Sequence, residues 1–98
     1  MKYTKDMVFH KLRAGTTIQD VPLDHPVIQM VLSRPRNMAW MNRVKKIINS
    51  PDTYDIYRPA YYCKSCGQIE GGARRIMALK MIGKKTCNIK IYRECIDA

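Results

Sequence analysis

The chain has 98 residues, 46% of them apolar, with 18 lysines and arginines against 8 acids and a formal charge of +10. That length carries one core and not two; no apolar run approaches the roughly 18 to 20 residues that cross a bilayer, and the charge-interrupted N-terminus does not read as a signal peptide. The composition therefore predicts one small domain in a reducing, cytoplasmic setting, with a polyanion or an acidic partner offsetting its self-repulsion.

In chain order, Thr4 caps an expected first helix over residues 5 to 14, with Asp6 in its first turn, Val8, Phe9 and Leu12 on one face, and Gly15 ending it. Pro22 and Pro26 leave space for one short helical turn over 17 to 21. Pro26 suits the first position of a second helix, whose Val27, Met30 and Val31 form a stripe that stops before Pro35. Leu12 to Gly15, Ile18 with Val21, and Val27 to Arg34 partly resemble a helix-turn-helix that would turn Gln29, Ser33 and Arg34 toward a groove of DNA, although Pro22 falls inside its middle helix. A three-helix cap over the C-terminal part is the alternative.

From Asn37 to Asn49, Met38, Trp40, Met41, Val44, Ile47 and Ile48 share about half of the helical wheel, the clearest amphipathic pattern in the chain. The segment from Tyr54 to Cys63 is aromatic and β-prone, with Pro59 keeping it at a sheet edge or splitting it. A helix over 73 to 83 follows Gly71-Gly72 and stops at Gly83. Ile89 and Ile91 alternate with Lys90 and Tyr92, the period of a half-buried strand. The expected fold class is α+β: an N-terminal helical part of about three helices to residue 50, then a C-terminal zinc-knuckle part over 51 to 98 with short antiparallel strands and one helix.

Cys63-Lys64-Ser65-Cys66-Gly67 is the most specific motif, since two intervening residues let both sulfurs reach one tetrahedral ion and the glycine permits a tight turn. Cys87 and Cys95 would complete a four-thiolate site for one structural Zn2+. Eight residues of straight strand span about 26 Å, however, so the strand must fold back or one cysteine is a bystander. His10 or His25 is a substitute ligand, and a bare reduced turn or a redox-active pair is the alternative to zinc. A disulfide framework is disfavoured in a reducing compartment. The Cys63-x-x-Cys66-Gly67 motif, with Ile69 and Arg74-Arg75 after it, resembles the zinc fingers of the DksA/TraR family. That family's second cysteine pair and acidic coiled-coil tip are absent, so binding to RNA polymerase is not implied.

The positive charge falls in two acid-free stretches. His25 to Pro51 holds Arg34, Arg36, Arg43, Lys45 and Lys46, and Gly71 to Arg93 holds Arg74, Arg75, Lys80, Lys84, Lys85, Lys90 and Arg93. Two basic patches flanking one groove would bind nucleic acid, DNA or RNA, with Arg34, Arg36, Arg43, Lys46, Arg74, Arg75, Lys84 and Lys85 on phosphates. Gly71-Gly72-Ala73-Arg74-Arg75 reads as a phosphate seat, because a helix start offers free amides, glycines allow close approach and arginines add bidentate contacts. Tyr54, Tyr57, Tyr61 and Tyr62 around Arg58 could stack unpaired bases or wedge against a protein, and the methionines read first as core filler.

Catalysis is not expected: P-loop and HExxH motifs are missing, both histidines precede the first cysteine pair, and no base stands near Cys63 or Cys66. Two other readings fit size and charge. One is a small phage- or mobile-element-type adaptor or inhibitor that occupies a host protein or nucleoprotein complex; the other is a ribonucleoprotein (ribosomal) subunit.

Overall fold

In the computed structural model, which describes residues 1–94, the elements run β1 (Thr17–Pro22), α1 (Pro26–Leu32), α2 (Met38–Asn49), β2 (Ala60–Cys63), β3 (Gln68–Gly71), α3 (Ala73–Met81) and β4 (Thr86–Tyr92), after a 3₁₀ turn at Phe9–Lys11. The sheet order is β1-β4-β2-β3, with β4 antiparallel to β1 and parallel to β2, and β2 and β3 joined as an antiparallel hairpin. Ile18 and Val21 of β1, Ile28 and Val31 of α1, Val44 and Ile47 of α2, Ile76 and Leu79 of α3, and Ile89 and Ile91 of β4 belong to one buried cluster. One cluster means that the three helices cover a single face of the sheet. Each such aliphatic side chain contributes roughly 1.5–3 kcal/mol on leaving water.

This architecture overturns the expected division into a helical half and a knuckle half. Strands and helices are interleaved, and β1, from the N-terminal half, pairs with β4, from the C-terminal half. Residues 17 to 21 form a strand and not a helical turn, because β-branched Thr17, Ile18 and Val21 find a partner in Lys90, Ile89 and Cys87. With them the helix-turn-helix disappears. The helix over 5 to 14 is also replaced: the Tyr3 amide donates to the Gln19 carbonyl and the Gln19 amide to that of Met1, so the N-terminus lies extended along β1. An isolated ten-residue helix has little stability of its own, and only the 3₁₀ turn at Phe9–Lys11 forms within that span. Pro59 does not confine its strand to an edge. It stands one residue before β2, so its missing donor costs the ladder nothing, and β2 lies inside the sheet.

The other elements follow their sequence signals. Pro26 opens α1, Asn37 caps α2, α3 follows Gly71-Gly72, and β4 alternates along its length. No helix among the described residues is long and apolar enough to cross a membrane.

His25 ties the N-terminal segment to this frame. Its Nδ1 accepts a hydrogen bond from the Val27 amide at 3.1 Å, capping α1, while its ring stacks on Phe9 at 4.7 Å and meets Tyr3 edge-on at 5.8 Å. An accepting Nδ1 requires the neutral ring. Burial accordingly pushes its pKa below the ordinary 6.5, with the Asp24 carboxylate resisting. A depressed folded-state value gives stability that is present above the unfolded value and lost as pH falls through the folded one. Melting temperature should therefore drop between about pH 7 and pH 5, and His25→Asn, which caps without titrating, should flatten that slope.

Candidate nucleic-acid interface

The junction between β3 and α3 shapes the site. Gly72 has φ +87°, and a Cβ there would come within 2.9 Å of the Ala60 Cα, so the start of α3 presses on the start of β2. At Gly71 a Cβ would meet the Tyr61 ring at 2.7 Å; its absence lets that ring lie across β3. The first intrahelical bond of α3 runs from the Ile76 amide to the Gly72 carbonyl, and no side chain caps the helix. Its leading amides thus retain the partial positive charge of an open N-terminus. Facing them is α2, whose start is fixed by Asn37 Oδ1 accepting from the Trp40 amide at 2.9 Å.

Between α2, the link that precedes it and the start of α3 lies a groove of about 650 Å³. Arg34, Arg36, Arg43, Lys46, Arg74 and Arg75 line it, with Trp40, Tyr54 and one acid, Glu70. Among the described residues the only ion pair is Lys2–Asp20, elsewhere on the surface, so none of these six cations is paired directly with a described carboxylate. Glu70 instead accepts from Gln68 Nε2 at 2.7 Å, and Gln68 Oε1 accepts from Arg34 at 3.1 Å.

Two of the arginines are partly built into the protein. Arg36 donates to the Val31 carbonyl at 3.2 Å and lies 4.3 Å over the Trp40 ring, while Arg75 donates to the Pro59 carbonyl at 3.1 Å. The Nε of each is buried without a hydrogen-bond partner among the described residues. Burial pushes the Arg75 guanidinium below its ordinary value and Arg58 adds to that push, while Tyr61 and Asp55 resist. An anion in the groove would favour the charged form of Arg75.

Six of the eight basic residues singled out from the sequence therefore meet in one place, although they come from two separate stretches. Lys84 and Lys85 do not join them. They line a second, shallower cavity with Lys80, Leu23 and Leu32, and Lys84 sits 5.9 Å over the Tyr57 ring. Trp40 is the groove residue that sequence reasoning missed: the helical wheel assigns it to the core, yet it is half-buried and opens on the cations. Arg36, four residues before it and across a helix start, was the available signal.

The cysteines are not gathered as expected. Cys63 to Gly67 is the turn of the β2–β3 hairpin, closed by the Gly67 amide donating to the Cys63 carbonyl at 2.8 Å, with Gly67 at φ +72°. Cys63 is buried with its Sγ 3.1 Å from Ser65 Oγ, whereas Cys66 is disulfide-bonded, contrary to expectation, and so presents no thiolate. Cys87 lies in the main core, which excludes Cys63. The register sets Tyr92, and not Cys87, beside Cys63, which leaves Cys87 about 16 Å away along β4. It cannot share an ion with Cys63. His25 is committed to its cap and stack; Cys95 lies outside the described residues; and among the described residues no three His, Cys, Asp or Glu side chains converge.

No protein-family model, curated protein or solved structure matches this chain.

Two outcomes follow from this geometry. Gly72→Ala places a Cβ in a left-handed conformation and against β2, and should lower stability by about 2 kcal/mol or more, read by denaturant unfolding. Burial pushes the Cys87 thiol up to about 12. The native protein should leave it unmodified by iodoacetamide at about pH 8 and expose it only on unfolding. A raised folded-state value also means that its contribution to stability is present below the unfolded value and lost as pH climbs toward the folded one.

Proposed function

We propose that the protein binds nucleic acid through this groove and acts by binding, not by turnover. The observation that carries the reading is the convergence of six cations from two acid-free stretches on one recess, none of them in an ion pair among the described residues. Maintaining such a cluster costs self-repulsion, which a chain of phosphates relieves while releasing its own counterions. The open start of α3 adds oriented amides to the same recess. No step of this reading uses a metal.

Titration of the protein with a labelled oligonucleotide at several salt concentrations tests it. Affinity should fall steeply with salt, and Arg43→Ala and Arg74→Ala, both exposed, should each weaken binding and reduce the log–log salt slope by about one. Lys84→Ala and Lys85→Ala should change that slope less, because those side chains line the other cavity. Trp40 is the only tryptophan and lines the groove, so its emission should change on titration. Binding that is absent at low salt, or indifferent to Arg43 and Arg74, overturns the reading and leaves an acidic protein as the partner this charge fits.

A further inference from the structure

We infer that the occupant of the groove is single-stranded nucleic acid, with a base stacked on Tyr54 and its phosphate at the start of α3; this rests on the nucleic-acid reading above. The first argument is shape. Duplex DNA is a convex rod, read by elements that protrude into a groove roughly 12 Å wide. Here the cations line a recess instead, with α2 on one side and the β3–α3 junction on the other. A recess of about 650 Å³ has the size that encloses a small organic molecule, and so takes a nucleotide or two of a flexible strand but not a double helix.

The second argument is chemistry. Tyr54 lines the recess with 45% of its surface exposed, on a turn held by its amide donating to the Ser50 carbonyl at 3.2 Å. An exposed ring on an anchored turn, beside cations, is what an unpaired base needs: a π-face at one end and charge for its phosphate at the other. Trp40 supplies a second ring in the same recess, with the Arg36 guanidinium 4.3 Å over it. A purely electrostatic phosphate site has no use for either aromatic. A paired base in a duplex keeps its faces buried against its neighbours and could not reach them.

The test compares a labelled single-stranded oligonucleotide, as DNA and as RNA, with a blunt duplex of the same sequence at equal salt, for the parent protein, Tyr54→Leu and Tyr54→Phe. The single strands should bind more tightly than the duplex. Tyr54→Leu should weaken single-strand binding roughly five- to hundredfold with the salt slope unchanged, since no charge is removed, and Tyr54→Phe should retain it. Tyr54 is exposed, and a circular-dichroism melt close to the parent's would show that each variant is folded. Duplex bound as tightly as single strand, or Tyr54→Leu binding like the parent, overturns the inference. If Arg43→Ala and Arg74→Ala still weaken binding in that case, the groove stands as a nucleic-acid site and only the single-strand assignment is lost; if they bind like the parent, both are lost.

Discussion

Strand β4 is last in the described chain and central in the sheet, paired antiparallel to β1 on one side and parallel to β2 on the other. Parallel neighbours cannot be joined by a tight turn, so a crossover must separate them. The hairpin strand β3 and helix α3 are that crossover, and they bring the start of α3 against the start of β2. The groove exists because α2, laid on the same face of the sheet, then confronts that helix start. Neither half of the chain can make the sheet alone. The β1–β4 ladder joins residues some seventy positions apart, so the loop-closure entropy is large and sheet completion must wait for the last strand.

The electrostatics follow from this packing. Salt at physiological strength screens charges beyond about 8 Å, which is close to the width of a recess of this volume, so cations on its two walls still repel one another. Among the described residues no ion pair relieves them: the one carboxylate in the groove, Glu70, accepts from Gln68 instead. Hydrogen bonds to the Val31 and Pro59 carbonyls fix two guanidinium groups in place without neutralising them. Two of the charges that line the recess are thereby held in fixed positions.

Helices with a strong local signal were legible in the sequence: Pro26 before an apolar stripe, Asn37 before an amphipathic run, and Gly72 before α3. So was the alternation of β4. What failed depended on partners far along the chain. Residues 17 to 21 become a strand only because β4 is beside them, and residues 5 to 14 keep only a 3₁₀ turn whose Phe9 is buried in the common core. The hairpin strand β3, four residues with one buried side chain, has too short a pattern to stand out from the knuckle and the glycines around it. The acid-free stretches contain all six cations of the groove, but spacing could not show that Lys84 and Lys85 would lie elsewhere. The CxxC spacing is ambiguous in a different way. A four-residue hairpin turn and a metal knuckle both ask for a tight loop ending in glycine, and only the register, with Cys87 far down β4, separates Cys87 from the sulfur of Cys63.

The residues that build the groove are also where the protein departs from its own packing rules. Buried polar atoms are almost always hydrogen-bonded, and an unpartnered donor costs about 1–3 kcal/mol. The two buried side-chain nitrogens without partners among the described residues, Arg36 Nε and Arg75 Nε, both belong to the lining of this one recess. Arginines in the first turn of a helix likewise oppose its dipole, yet Arg74 and Arg75 both stand there in α3. Elsewhere the core is entirely apolar and its caps are satisfied. Unpartnered guanidinium nitrogens and arginines that oppose a helix dipole are thus concentrated in one recess, where an anion would offset the mutual repulsion of its cations.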